Sequence, residues 1–141
     1  MSDFKAFFSE NVKKVEEVEY VVSDRFTENG EPIKWRLKAL TAKEEEGVRA
    51  DSTIRTPIPG KHGQYTEKLD TNAYVRKLTT ASVVYPDLFD ADLQNSYGVT
   101  SPEALLQKML LSGEMIHLTE KVTEINNLTE SFEDKVEHAK N

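Results

Sequence analysis

Three histidines, no cysteine and a set of scattered carboxylates are what this chain offers for chemistry. His62, His117 and His138 lie far apart, and none has a second ligand at metal-binding spacing. They read as surface or half-buried histidines. The absence of cysteine excludes a disulfide scaffold, a zinc–thiolate site and a thiol nucleophile together. Gly60-Lys61-His62-Gly63 has the look of a phosphate loop, but a Walker A loop needs a second glycine upstream and Ser or Thr after the lysine. His62 stands there instead, so the segment is read as a turn. Asp87, Asp90 and Asp92 suggest calcium, yet an EF-hand begun at Asp90 would need Gly at 95 and Glu at 101, where Asn95 and Ser101 stand. Helix capping accounts better for these acids. Glu44-Glu45-Glu46 falls in a helix's first turn, where acids suit the macrodipole. No serine sits in a G-x-S-x-G elbow. Trp35, Tyr65 and Tyr97 could line a pocket, but core or hairpin packing suits them better. The chain is therefore not read as an enzyme, and no catalytic residue, cofactor or metal ligand is expected.

One pattern points to binding. Met115, Leu118, Val122, Ile125, Thr129, Phe132 and Val136 alternate spacings of three and four, a heptad seam with one polar position. Asn126 and Asn127 weaken it, since Asn is a poor helix-interior residue. Two readings stay open. The stripe packs on the protein's own body, or it grips a partner helix or groove, and both hold if its first half docks while its second half is free.

Charge separates this stretch from the rest. The chain has 141 residues, 25 acids and 18 bases, for a net charge of −7. Seven of the acids and three of the bases lie in residues 114–141, a balance of −4 in that stretch and −3 in the rest. Phe132 is its one aromatic residue. The organisation expected is an α+β body over 1–113, followed by an acidic heptad-patterned helix over 114–141 that frays beyond 127. An acidic chain lacks the clustered Lys and Arg that phosphate neutralisation requires, so no nucleic-acid partner is expected. No apolar run reaches the length needed to span a bilayer, and Asp3 and Lys5 come too early for a signal peptide. A cytoplasmic protein without a membrane partner is the expectation.

The elements that would hold these features can be placed in order. Phe4, Phe7, Phe8 and Val12 have helical spacing, predicting a short N-terminal helix over about 3–13 that docks on the body. Val15–Val22 and Ile33–Leu40 read as strands. In the second, Ile33, Trp35, Leu37 and Ala39 face a core, and Lys34, Arg36 and Lys38 face solvent. Asn29-Gly30 between them is a strong hairpin signal. Thr41 and Glu44 form a capping box ahead of a helix over about 42–51. Residues 54–66, with Pro57, Pro59, Gly60 and Gly63, suggest a second hairpin. Asp70 caps a helix running to about Val84 and ended by Tyr85-Pro86. A short helix closed by Gly98 follows, then one started by Ser101-Pro102-Glu103, and a break at Ser112-Gly113-Glu114. The fold class is α+β: N-terminal helix, β-hairpins, then a mainly helical C-terminal half.

Several of these stretches, taken in order, resemble the XkdN-like tail assembly chaperones of long-tailed phages and phage-like elements of Bacillus, including the YqbN type. They are Phe4–Phe8, Val18–Phe26, Gly30–Trp35, Pro59–Tyr65 and Leu93–Val99, within residues 4–127. The resemblance implies a non-catalytic assembly factor of the bacterial host cytoplasm. Such a factor holds the largely helical tape measure protein soluble, recruits the tail tube protein, and is absent from the mature virion. A homo-oligomer is compatible with it. On this reading Met115, Leu118, Val122, Ile125 and Phe132 are the partner-binding residues. The alternatives are a structural tail subunit, such as a tube or completion protein, and a small enzyme with an unrecognised site.

Overall fold

A computed structural model describes residues 4–128. Alternation of apolar and basic residues places the central strand. In β4 (Trp35–Leu37), Trp35 and Leu37 are buried and Arg36 is exposed. It pairs antiparallel with β1 (Val18–Tyr20) on one side and β7 (Val83–Tyr85) on the other. Val18 lies opposite Leu37 and Tyr20 opposite Trp35. The register shifts between Arg36 and Leu37 on the β7 side. The solvent face of this sheet is laced with charge: Arg36 Nη1 donates to Glu17 Oε1 at 2.9 Å, and Lys34 Nζ lies 3.6 Å from Glu19.

Between β1 and β4 stands the small hairpin of β2 (Thr27–Glu28) and β3 (Glu31–Pro32). Asn29 and Gly30 turn it with φ of 55° and 80°, the positive values that a tight two-residue hairpin loop requires. Phe26, just ahead of it, folds against Trp35 with ring centroids 6.1 Å apart.

α1 (Ala42–Asp51) begins where the capping box predicts. The Glu44 N–H donates to Thr41 Oγ1, and the Thr41 N–H donates back to Glu44 Oε1. β5 (Thr53–Pro57) and β6 (Tyr65–Leu69) follow as the second hairpin, in register from Thr53–Leu69 to Pro57–Tyr65. Asp70 then caps α2 (Thr71–Ser82) by accepting from the Ala73 N–H.

α2 stops short of the expected Val84. Val83 leaves the helix at φ −84°, ψ 117°, and Val83–Tyr85 become the third strand of the main sheet. Two β-branched residues followed by Tyr-Pro favour extended backbone, and it is the edge of β4 that makes this segment a strand. α3 (Ala91–Ser96), α4 (Pro102–Met109) and α5 (Ser112–Ile125) complete the described residues, the first two capped by Asp90 and Ser101. Gly98, at φ 69°, reverses the chain after α3.

The N-terminal helix is also corrected. Phe4–Phe7 form one 3₁₀ turn, and Phe4, Phe7, Phe8, Val12 and Val15 are exposed, Phe7 at 80%. A helix this short has no stability of its own and needs a packing surface, which none of the described residues supplies here.

The core lies where α2, α4 and α5 meet the buried face of the sheet. Leu105, Leu106, Leu118 and Val122 are essentially inaccessible, joined by Trp35, Leu37, Leu78 and Leu88.

Candidate functional site

The residues first considered for chemistry are kept apart by the fold. His62 is at the β5–β6 tip and His117 is on the exposed face of α5; both are solvent-exposed. His138 lies outside the described residues. No three His, Asp or Glu side chains converge to hold a metal among the described residues. The acids act on backbone instead. Asp87 accepts from the Phe89 N–H at 3.0 Å and Asp90 from the Leu93 N–H at 2.8 Å, an Asx turn and a helix cap. Gly60 and Gly63 at the tip take φ of 78° and 74°, which makes the faint phosphate loop a reversal of chain direction. Trp35 is core; Tyr65 is exposed on the hairpin; Tyr97 is half-buried.

The heptad stripe turns toward the body. Leu118 and Val122 are 0% exposed, and Met115 and Ile125 are half-buried against the same cluster. On the opposite side of α5, Ile116 is 54% exposed. Phe132, with Thr129 and Val136, lies outside the described residues.

Two polar contacts lock α5 at its ends. At the N-terminal end, Arg25 Nε and Nη2 grip the two carboxylate oxygens of Glu114, and Nη2 also donates to the Met109 carbonyl at 2.9 Å. The Leu111 N–H donates to Glu114 Oε1 at 2.8 Å. Bonding to Arg25, then to Ser23 and the Leu111 amide, holds the Glu114 carboxyl down to a pKa of about 2. At the C-terminal end, Asn126 Oδ1 accepts from the Leu40 N–H at 2.7 Å. Its Nδ2 donates to the Val122 carbonyl at 2.9 Å and to Ser82 Oγ at 3.2 Å. The helix stops there: Asn127 adopts φ 58°, the left-handed conformation common after a helix.

A third polar knot joins α1 to α2. The Tyr74 hydroxyl donates to Glu45 at 2.6 Å, Arg49 donates to the same carboxylate at 2.7 Å, and its guanidinium lies 5.0 Å from the Tyr74 ring centroid. The Tyr74 hydroxyl, then Arg49, holds the Glu45 carboxyl below its usual range; burial pushes the Tyr74 phenol up. These groups bind one another and leave no free acid–base pair.

The open surface is apolar in places. Besides the N-terminal phenylalanines, Phe89, Leu111, Ile54 and Tyr65 are exposed. A small apolar cavity of about 120 Å³ sits among Phe26, Trp35, Tyr85, Pro86, Leu93 and Met109. Helical spacing marks the phenylalanines as an apolar face and predicts that it docks; they are exposed instead, because spacing alone does not tell whether a partner surface exists in the same chain.

The chain's likeness to known proteins shows its family. The profile of the phage XkdN-like tail assembly chaperones (TAC) matches residues 4–140. The chain belongs to that family. It is 27% identical to the phage-like element PBSX protein XkdN of Bacillus subtilis (strain 168), over 99% of this chain and 94% of that protein. It is equally identical to the uncharacterized protein YqbN of the same strain, over 99% of this chain and 93% of that one. The crystal structure of YqbN superposes with a TM-score of 0.75 at 22% identity, covering 90% of this chain and 98% of that chain. This tail assembly chaperone thus shares its fold with YqbN, and its role concerns phage tails. No helix among its described residues is long and apolar enough to cross a membrane.

Proposed function

We propose that the protein is a non-catalytic chaperone that binds the tape measure protein in the bacterial host cytoplasm. It keeps that protein soluble, assists addition of the tail tube protein, and leaves before the virion is complete. The observation that carries this reading is the family match across almost the whole chain. The exposed apolar side chains of the N-terminal arm support it, because a long tape measure helix exposes apolar surface that aggregates unless covered.

The partner contact is assigned to Met115, Leu118, Val122 and Ile125 of α5 and to Phe132, which lies outside the described residues. Met115 and Ile125 keep accessible edges. Leu118 and Val122 hold the helix to the body, and they reach a partner only if α5 lifts away.

Co-expression with the tape measure protein tests the reading. The wild-type chain should move the tape measure protein into the soluble fraction, and Ile125→Asp with Phe132→Asp should reverse this while circular dichroism stays unchanged. An unaltered soluble fraction in the double variant removes α5 from the role. Mass spectrometry of purified particles separates the rival: a tail subunit would be abundant there, a chaperone missing.

A further inference from the structure

The β5–β6 hairpin has one blunted edge and one open edge. The Asp70 N–H donates to the Ser52 carbonyl at 2.8 Å and the Ile58 N–H to the Gln64 carbonyl at 3.0 Å. Antiparallel bonding alternates, so positions 54 and 56 bond inward to 68 and 66. Positions 53, 55 and 57 on β5, and 65, 67 and 69 on β6, therefore direct their N–H and C=O groups outward. On β5 the outward set includes Pro57, which has no N–H, a recognised way of spoiling an edge. On β6 the outward set is Tyr65, Glu67 and Leu69, each with a donor and an acceptor. β6 pairs with β5 alone, and no turn or loop backbone bond among the described residues uses these groups.

The hairpin is exposed along both strands except at its base. A lone two-stranded hairpin is marginally stable in water, and a third strand is what ordinarily stabilises it. Charge then selects the occupant. Residues 53–69 carry Arg55, Lys61 and Lys68 against Glu67, a balance of +2 in a chain whose total is −7. Pairing with the hairpin of a second copy would set +2 against +2. An acidic strand would meet complementary charge. Arg55 is held ready on one face, 3.5 Å from Glu67 and 4.6 Å from the Tyr65 ring centroid.

We propose that the β6 edge, Tyr65–Leu69, takes an extended acidic segment of a partner protein as a third strand of this hairpin. This does not rest on the assignment of the tape measure protein as partner.

Amide hydrogen exchange on the intact chain tests it, with a capped peptide of alternating Glu and Val as probe and its Lys–Val counterpart as control. The acidic peptide should slow exchange at Tyr65, Glu67 and Leu69 by roughly tenfold or more, as new backbone bonds protect amides. The Lys–Val peptide should not. Glu67→Pro removes the central outward donor without removing a bond inside the hairpin, and should abolish the protection. Lys61→Glu with Lys68→Glu keeps the backbone intact and should exchange the preference between the two peptides. The proposal is overturned if the two peptides protect equally, if neither protects, or if Glu67→Pro leaves protection unchanged. It is also overturned if protection rises with protein concentration alone, which would make a second copy the occupant.

Discussion

Asn126 shows how one side chain can end a helix and fasten it. Asparagine destabilises a helix interior because its amide competes for backbone partners. Here that competition is used, with the amide serving Leu40, Val122 and Ser82 at once. Its three partners come from the segment after β4, from α5 itself and from the end of α2. Replacing it by Ala leaves the Leu40 N–H without its acceptor, and the expected loss is about 1–3 kcal/mol. Urea unfolding of Asn126→Ala should show a lower midpoint with an unchanged slope. The pattern of residues marks Asn126 as a weak point in the heptad seam and nothing more. Its tertiary partners are 44 and 86 residues away along the chain, beyond what local spacing encodes.

At the level of elements, what is decided locally is legible in the sequence. The Thr41–Glu44 box, the Asn29-Gly30 turn, the Asp70 cap and Ser101-Pro102 each act within a few residues, and the structure has them where expected. Elements that depend on a distant surface are not legible. Val83–Tyr85 become a strand because β4 offers an edge, and the N-terminal phenylalanines, which helical spacing would dock, are exposed. The heptad spacing predicted a helix with one apolar stripe, but it could not choose between body and partner. The two sides of α5 now differ sharply. Leu118→Ala should cost about 2–5 kcal/mol through the cavity it opens, while Ile116→Ala, on the exposed side, should stay within about 0.5 kcal/mol. Thermal unfolding of the two variants side by side would show the contrast. Equal small losses would mean that α5 is not anchored as described.

The whole molecule is acidic, and its stability should respond to acid in a definite direction. The Glu114 carboxyl titrates at about 2 when folded, against 4.5 for the unperturbed group. A depressed carboxylate stabilises the fold above its unfolded pKa and loses that contribution as pH falls through the folded value. The contribution is therefore complete above about pH 5 and fades toward pH 2. Glu44 and Glu45, lowered by the Thr41 amide and the Tyr74 hydroxyl respectively, add in the same direction. Glu114→Gln should be less stable than wild type at pH 7, and the gap should close as pH approaches 2. A gap that stays constant across that range would remove the ion pair with Arg25 as its cause. The charge split seen in the sequence marks the C-terminal stretch as distinct, yet α5 enters the common core with the body. Composition reports solvation, and burial depends on which face turns inward.

Pro57 bears on how far any assembly through this hairpin could extend. A sheet with two open edges adds strands on both sides and can grow without limit, which is the geometry of fibres. With a proline on one outer rim, the hairpin can cap a partner's sheet but is a poor relay to a next one. Strand addition here would be monovalent, so a complex built on it would have a fixed count of one segment per hairpin.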